Sequence, residues 1–282
     1  MLLAQVTEPD PWFGIKYNMN IYRGCQHQCI YCDSRSECYG IEDFADVLVK
    51  VNALDLLRDE LPRKRVKGLI GTGSMSDPYG PVEESYGLTG QALAFIAQWR
   101  FPVHIITKSD LVLRDVDVLT EISRVRAAVS FTITTADDAL AQKLEPGAPP
   151  PSRRLAAMAA LAARGVPTGV TMMPILPFIE DNEDNVQKVM ASALESGASY
   201  IVAAFGMTLR DRQRAYYYAR LDELFPGLRP WYERAFGDRY EARAMNAARL
   251  EALYESFCAE HGLARRVAPY RSAPAAQQLN LF

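Results

Sequence analysis

Six short runs of apolar and β-branched residues alternate with helical patterns along most of the chain. This alternation predicts a parallel sheet whose strands are joined by crossover helices. The runs are apolar at most positions, which is typical of strands buried on both faces. The sequence therefore predicts an α/β fold of six βα rounds. The candidate strands are residues 17–22, 66–70, 103–107, 129–134, 168–173 and 200–205.

Three of the intervening helices have clear sequence signals. Apolar residues recur at i, i+3, i+4 and i+7 over residues 44–51, which predicts a helix with one buried stripe. A second helix is predicted from Ser152, as its N-cap, to Gly165, and a third from Asn182 to Gly197. Both glycines suit the left-handed conformation that commonly ends a helix.

The strand pattern divides the chain into four predicted parts. Residues 1–16 precede the pattern, residues 17–208 form a barrel, residues 209–263 form a helical extension, and residues 264–282 form a tail. The proline-rich run at residues 145–152 predicts a loop after the fourth strand.

Composition narrows the class of protein. The chain has 282 residues, a formal net charge of -3 and 49% hydrophobic residues, as soluble globular proteins do. No basic excess indicates nucleic-acid binding, and no apolar stretch reaches the roughly 18 residues needed to span a membrane. The start lacks the features of a signal peptide, so a cytoplasmic location is expected.

Four of the five cysteines lie between positions 25 and 38. Cysteines crowded together in a reducing compartment more often hold metal than form disulfides. Cys25, Cys29 and Cys32 have the spacing Cys-x3-Cys-x2-Cys, which lets a short loop wrap three sulfurs around a soft metal centre. With Cys38, the set would hold a structural zinc ion or an electron-transfer cluster; without it, one iron of a cluster stays open. The position after the first barrel strand favours the three-cysteine interpretation, because parallel barrels carry their chemistry in such loops.

The pattern Cys-x3-Cys-x-aromatic-Cys, with Tyr31 as the aromatic residue, resembles the signature of the radical S-adenosylmethionine (AdoMet) superfamily. The resemblance implies a partial (β/α)6 parallel barrel, here followed by the helical C-terminal extension. It also implies a [4Fe-4S] cluster on Cys25, Cys29 and Cys32, with AdoMet on the open iron. An electron from a low-potential donor then cleaves AdoMet, and the 5'-deoxyadenosyl radical abstracts hydrogen from a substrate.

The segment GTGSMSDPYGPVEESYGLT, at residues 71–89, resembles spore photoproduct lyase-like proteins, often described as DNA repair photolyases. Further similar pieces occur at residues 50–53, 144–155, 174–184 and 209–228, so the resemblance covers most of the chain. It implies a nucleic-acid or nucleotide substrate, with DNA repair as one such activity. The alternatives are a radical AdoMet enzyme acting on a peptide or small metabolite, and a non-catalytic iron-sulfur or zinc module.

The resemblance also places site residues at the barrel mouth. Glycines after the second strand would let the backbone approach AdoMet closely, and Lys108 is a cation suited to its carboxylate. Ordinary roles in a turn, a loop or the core are the alternatives for each residue. The implied AdoMet contacts are Tyr31, Gly71, Thr72, Gly73, Ser74, Lys108, Ser130, Thr132 and Met172, and the substrate-side candidates are Asp77, Tyr79 and Glu83.

One feature of spore photoproduct lyase has no counterpart in this sequence. The lyase has a separate hydrogen-donating cysteine well downstream of its cluster. Cys38 is too close to the cluster motif to match it, and Cys258 is too distant. The lyase's own reaction is therefore not extended to this chain.

The last five residues, QLNLF, resemble the short peptide with which bacterial proteins dock on the DNA polymerase sliding clamp. Such a peptide needs a glutamine at the pocket rim and Leu and Phe anchors in a hydrophobic cleft. The resemblance assigns these roles to Gln278, Leu279, Leu281 and Phe282. The alternative is that the apolar residues pack against the barrel, since an exposed apolar end is costly.

Overall fold

The computed structural model describes residues 1–8 and 11–270. Its strands are β1 (Leu3–Gln5), β2 (Tyr17–Met19), β3 (Tyr22–Arg23), β4 (Leu48–Val49), β5 (Ile70–Thr72), β6 (Val103–Thr107), β7 (Ala127–Thr132), β8 (Thr168–Met172), β9 (Tyr200–Ala203), β10 (Gly206–Thr208) and β11 (Glu241–Arg243). Seven of them form one sheet in the order β1-β2-β5-β6-β7-β8-β9. β1 is antiparallel to β2, whereas β2, β5, β6, β7, β8 and β9 are parallel neighbours in chain order. The predicted partial βα barrel of six parallel strands is confirmed.

Helices connect the parallel strands and continue beyond them. They are α1 (Ala53–Glu60), α2 (Pro81–Tyr86), α3 (Leu88–Gln98), α4 (Val116–Ser123), α5 (Asp138–Leu144), α6 (Pro151–Ala163), α7 (Glu183–Glu195), α8 (Asp211–Leu224), α9 (Arg229–Phe236) and α10 (Ala247–Glu260). None of the helices within residues 1–8 and 11–270 combines the length and the hydropathy that a membrane-spanning helix needs.

The strands alternate between two environments. Val103 and Ile105 of β6 face the helices and are fully buried in the main core. His104, between them, points to the opposite face, where the Phe13 ring stacks on it at a centroid distance of 5.0 Å. Successive strand residues point to opposite faces, so this pattern covers the sheet on both sides.

The N-terminal segment fills the inner face of the sheet. Ile15 packs there with Phe13, Leu69 and Tyr200. A Cβ atom added to Gly71 would lie 2.4 Å from the Ile15 side chain, so the strand needs glycine at this point. The segment that was predicted to precede the barrel therefore contributes to barrel packing.

Residues 209–263, predicted as a helical extension, contain helices α8, α9 and α10 and one strand of a small two-stranded sheet. β10 pairs antiparallel with β11, and α8 and α9 lie between these two strands in the chain. After α10, which packs against α7, the chain returns to the edge strand β9, where Ala264 forms a parallel bridge with Tyr200. Val267 is buried, and its backbone N–H donates to the Trp12 carbonyl at 2.8 Å.

The helix predicted at residues 44–51 is wrong. This segment has only irregular structure and the short strand β4, and helix α1 begins at Ala53. The apolar stripe is not buried as a unit, since Leu48 and Val51 are 58% and 72% exposed. Phe44 is buried, and its carbonyl accepts a hydrogen bond from the Cys25 N–H at 2.9 Å. A long-range contact with the cysteine segment thus overrides the local helical pattern.

The other two predicted helices are confirmed, with one cap corrected. Asn182 caps α7 by accepting the Asn185 N–H at 2.9 Å. Ser152, however, is not the N-cap of α6, because the helix starts one residue earlier with Pro150 as the cap. Proline at the first helical position loses no useful donor. The Ser152 hydroxyl instead donates to Asp138 at 2.6 Å and ties α6 to α5.

Candidate active site

The cysteine loop, residues 24–41, follows β3 at the carboxyl end of the first parallel strand. It contains only irregular backbone and two short 3-10 turns, so its shape depends on contacts with other segments. Gly24 begins the loop with φ of +94°, and a side chain there would crowd the carbonyls of Phe44 and Asp46 at 3.1 Å. The Cys32 N–H donates to the Cys29 carbonyl at 3.3 Å, which turns the chain between these two cysteines.

Cys25, Cys29 and Cys32 are free thiols that act on one another electrostatically. Burial raises the pKa of Cys25 to about 11 and also raises the pKa of Cys29 and Cys32. The Lys108 ammonium opposes this shift at Cys29 and Cys32, because a nearby cation favours the thiolate. The fold thus places the Lys108 cation beside Cys29 and Cys32.

Cys38 lies apart from this set. It is exposed, and its sulfur lies 3.3 Å from the Ser36 hydroxyl oxygen. Its electrostatic neighbours are Tyr39 and Arg210, whereas the pKa values of the other three cysteines respond to one another. The structure therefore separates three thiols from the fourth.

The arrangement of the cysteine thiols distinguishes a zinc site from an iron-sulfur cluster with one open iron. Within residues 1–8 and 11–270, no three His, Cys, Asp or Glu side chains converge closely enough to hold a single metal ion. A four-iron cluster places its cysteine sulfurs farther apart than one ion does, because each sulfur binds a different iron. Three neighbouring thiols without Cys38 fit such a cluster, and they do not fit a four-thiolate zinc site.

A buried group of charges supports the loop from one side. Glu145 accepts a hydrogen bond from the Tyr31 hydroxyl and pairs with Arg154 at 2.6 Å and with Lys108 at 3.7 Å. Glu145 and Arg154 are only 2% and 1% exposed. Burial opposes ionisation of Glu145, but the charges of Arg154 and Lys108 hold its pKa below the usual value. The aromatic residue of the cysteine motif is thereby anchored to the loop after the fourth barrel strand.

Backbone contacts join the same two segments. The Gly147 N–H donates to the His27 carbonyl at 2.9 Å, and the Gly147 carbonyl lies 3.0 Å from His27 Nδ1. A Cβ atom on Gly147 would come within 2.1 Å of the Gln26 carbonyl oxygen. Only glycine allows this close approach, so position 147 of the proline-rich loop requires glycine. The composition of the loop did not predict this requirement.

Asp77 contacts the cysteine loop from the other side, next to the end of β6. Its carboxylate lies 3.1 Å from His27 Nε2 and accepts the Thr107 hydroxyl and the Lys108 N–H, both at 2.7 Å. Burial would raise the pKa of Asp77, but the charge of His27 and these donors lower it to about 2. The carboxylate thus connects the cysteine loop to the end of β6, and no oxygen is left over as an obvious substrate contact.

Tyr79 and Glu83 lie in the protein interior. The Tyr79 hydroxyl donates to Asp115 at 3.0 Å, and Glu83 accepts bonds from the Tyr22 hydroxyl and from Arg114. Both side chains are at most 1% exposed. The structure therefore gives these two substrate-side candidates structural partners and does not bring them to the site.

Two of the AdoMet candidates also have structural partners. The Ser130 hydroxyl bonds with His104 Nε2 and with the Tyr200 hydroxyl, both at 2.8 Å. Burial lowers the pKa of His104 to about 3, so this ring is neutral. Thr132 bonds with Thr171 at 2.9 Å near the end of β7.

The remaining AdoMet candidates are Met172, which lies in the core, and three residues at the end of β5. Met172 is fully buried in the helix-facing core. Gly73, by contrast, has φ of +98°, and a Cβ atom there would lie 1.9 Å from the Ile106 carbonyl oxygen. Thr72 is buried and Ser74 is exposed beside it. The structure thus assembles the three cysteines, Tyr31, Asp77 and Lys108, and leaves Met172 apart from them.

Sequence reasoning missed Glu145, Arg154 and His27 as supports of the site. The first two lie in the segment 144–155, for which the sequence predicted a loop at residues 145–152 and a family resemblance but no role in the site. His27 lies inside the cysteine motif. It also missed Glu180, a fully buried carboxyl after β8 whose pKa burial raises to about 8. The available signal was the presence of charged residues beside glycine and proline in segments that follow the strands. Charged residues are rarely buried without a partner, so a buried one indicates an ion pair or a functional site.

Parallel strands with a three-cysteine loop at their carboxyl edge define a class of metal-cluster protein. A family model for the radical SAM superfamily matches residues 19–190, and the chain belongs to that superfamily. Membership implies a [4Fe-4S] cluster and AdoMet as cofactors.

Three relatives illustrate the relationship. An uncharacterized protein of Mycobacterium tuberculosis is 31% identical over 221 residues, which are 76% of this chain and 65% of that protein. The radical SAM Nalpha-GlyT isomerase of Pseudomonas phage M6 is 23% identical over 181 residues, covering 64% of this chain and 37% of that protein. The structure of spore photoproduct lyase complexed with dinucleoside spore photoproduct has a TM-score of 0.66 at 16% identity, covering 92% of this chain and 77% of that chain. At this identity the last match shows a common fold.

Proposed function

We propose that this protein is a radical AdoMet enzyme that abstracts hydrogen from a nucleic-acid or nucleotide substrate. The observation that carries the proposal is the placement of Cys25, Cys29 and Cys32 in one loop at the carboxyl edge of a parallel sheet, apart from the exposed Cys38. Three ligands leave one iron open, which is what distinguishes this chemistry from simple electron transfer.

Each residue of the site has a proposed role. When bound, the cluster and AdoMet supply the 5'-deoxyadenosyl radical. Cys25, Cys29 and Cys32 bind three irons, and Lys108 offers its ammonium to the AdoMet carboxylate. Lys108 remains 17% exposed and lies 3.7 Å from Glu145, so a second carboxylate can share its charge. Asp77 holds the Lys108 backbone through the 2.7 Å bond to its N–H.

Similarity supports a nucleic-acid or nucleotide substrate. Spore photoproduct lyase, whose structure holds a dinucleoside spore photoproduct, shares the fold over 92% of this chain. The formal net charge of -3 favours recognition of a local base or nucleotide over a long phosphate track, which needs clustered cations. Repair of damaged DNA is one reaction of this class. The missing downstream cysteine argues for a hydrogen-transfer route different from that of the lyase.

Anaerobic reconstitution tests the chemistry. We expect about four irons per chain in wild type and formation of 5'-deoxyadenosine when a reductant is added. Cys29→Ala should lose both, whereas Cys38→Ala, the matched control within the same loop, should keep both. Bound zinc, absence of 5'-deoxyadenosine, or equal loss in the Cys38 variant would contradict the proposal.

Deuterium transfer tests the substrate. Deuterated oligonucleotides or nucleosides should transfer deuterium into 5'-deoxyadenosine, because the radical takes hydrogen directly from the substrate. Deuterated peptides serve as the comparison. Transfer from the peptides alone would retain the radical chemistry and reject the nucleic-acid substrate.

A further inference from the structure

The start of α8 and the residues just before it lie against the cysteine loop. Residues 208–216, which we name the α8 clamp, contact residues 31–41 of that loop through side chains on several successive positions. The loop has little regular structure to satisfy its own carbonyl groups, and unsatisfied backbone groups are costly when buried. The clamp supplies donors to those groups.

Arg212 bonds to the loop backbone at three points. Its Nε donates to the Arg35 carbonyl at 2.7 Å, and its Nη2 donates to the carbonyls of Ser36, at 3.5 Å, and Ile41. A guanidinium presents five N–H donors in a rigid plane, so a single side chain can hold several carbonyls in one arrangement. Lysine would offer charge without this geometry.

Gln213 reaches the motif itself. This side chain is fully buried, and its Nε2 donates to the Tyr31 carbonyl at 3.1 Å, between Cys29 and Cys32 in sequence. Its Oε1 accepts the Arg210 N–H at 3.0 Å, which fixes the orientation of the amide. Gln213 therefore links the first turn of α8 to the backbone that carries two of the thiols.

Polar and aromatic contacts complete the clamp. Asp211 accepts the Ser36 hydroxyl at 2.8 Å and the Glu37 N–H at 3.1 Å. Tyr216 covers the Arg35 guanidinium at 3.8 Å from its ring centroid, in the range of cation–π contacts. Arg35 in turn acts electrostatically on Cys32. The contacts between the α8 clamp and the cysteine loop connect residues separated by about 170 positions or more in the chain.

We propose that Arg212 and Gln213 are positioning residues for the cluster-binding loop, so that the helical extension is part of the metal site. The proposal rests on the proposed function for the identity of the bound group. The contacts named above involve only residues of this chain, so the positioning can be tested on metal-free protein.

Thiol alkylation of the metal-free protein tests the positioning. Arg212→Gln should raise the alkylation rate of Cys29 and Cys32 about tenfold, since losing hydrogen bonds from a charged donor favours local opening. Arg212→Lys should restore little of the protection. Arg214→Gln is the matched control, because Arg214 lies on the same helix but donates to the carbonyls of Leu209, Gly237 and Arg239.

Cys258 provides an internal reference for unfolding. This thiol is 1% exposed in α10 and does not contact the loop, so its alkylation reports global opening. Mass spectrometry of each cysteine separates the two events. Equal acceleration at Cys258 and the loop thiols, or equal loop rates in Arg212→Gln and Arg214→Gln, would overturn the proposal.

Iron retention connects the positioning to the metal. After reconstitution, Arg212→Gln and Gln213→Ala should release iron to a chelator faster than Arg214→Gln does. If wild type takes up no iron while the alkylation difference is observed, the proposed function fails and the positioning role stands. If wild type binds iron and the variants match the control in both assays, only the positioning role fails.

Discussion

Replacing Arg154 by glutamine is expected to destabilise the protein strongly, because it breaks a buried ion pair from one side. Arg154 is 1% exposed and pairs with Glu145 at 2.6 Å. Its Nε also donates to the Pro149 carbonyl at 2.7 Å, and its Nη1 donates to the Thr132 carbonyl at 2.8 Å. The substitution leaves a carboxylate and two carbonyls without this donor.

The expected loss of unfolding free energy depends on the charges that remain near Glu145. Removing one partner of a buried pair typically costs about 3–5 kcal/mol of unfolding free energy. Lys108 stays 3.7 Å from Glu145 and compensates part of its charge. We therefore expect a loss near the lower limit, about 3 kcal/mol.

The neighbouring arginine is the control. Arg153 pairs with Asp110 at 2.6 Å but is 61% exposed, and exposed pairs contribute about 0–1 kcal/mol. Urea unfolding of metal-free Arg153→Gln, Arg154→Gln and wild type, followed by circular dichroism, gives the three free energies. A difference below about 1 kcal/mol between the two variants would refute the reasoning.

Three further predictions concern pH, backbone conformation and the C-terminus. Glu180 has a pKa of about 8 against an ordinary 4.5, so its protonated form favours folding below pH 4.5 and this contribution is lost as pH rises through 8. Glu180→Gln should therefore raise the melting temperature relative to wild type at pH 9 and change it little at pH 4.5; equal shifts at both values would contradict this. Gly73→Ala should cost at least about 3 kcal/mol in urea unfolding, because it adds a Cβ atom at a φ of +98° and 1.9 Å from the Ile106 carbonyl oxygen. Gly80→Ala, with φ of -62° and no close neighbour for the Cβ atom, should cost less than about 1 kcal/mol, and similar losses would argue against strain. Leu281→Ala/Phe282→Ala should abolish retention on an immobilised sliding clamp if the terminal peptide binds it, and equal retention would reject that role; these residues lie outside the part of the chain that the structure describes.

Local sequence patterns predicted the order of the barrel strands, because the alternation of strand and helix patterns is a property of neighbouring residues. The second strand was misplaced, since β5 is Ile70–Thr72 and shares only Ile70 with the predicted residues 66–70. Residues 103–107 were predicted as a strand and form β6 with the same bounds. The strand predicted at 129–134 begins two residues earlier, at Ala127, because Ala127 and Ala128 pair with Val103 and His104 of β6. The helix predicted at residues 44–51 is wrong because a long-range contact replaces the local pattern there. The Phe44 carbonyl accepts a hydrogen bond from the Cys25 N–H of the cysteine loop.

The cysteine motif predicted which thiols form the candidate site, but it did not predict what holds them. Cys25, Cys29 and Cys32 are close in sequence, so spacing alone indicated a common ligand. Their supports come from distant segments, namely the loop at Gly147 and the α8 clamp. No local pattern marks such contacts, because each depends on where the whole chain brings two segments together.

The sequence by itself determined the order of strands and helices and the three-thiol motif, because hydrophobic period and residue spacing are properties of neighbouring positions. Tertiary structure alone decided which charges are buried. Arg153 and Arg154 are adjacent and chemically identical, yet one faces solvent and the other lies under the cysteine loop with Glu145. The difference arises because Arg154 lies on the side of α6 that faces the interior, whereas Arg153 lies on the opposite side. Burying the Arg154 charge is costly, so it requires a partner of opposite charge, which Glu145 provides.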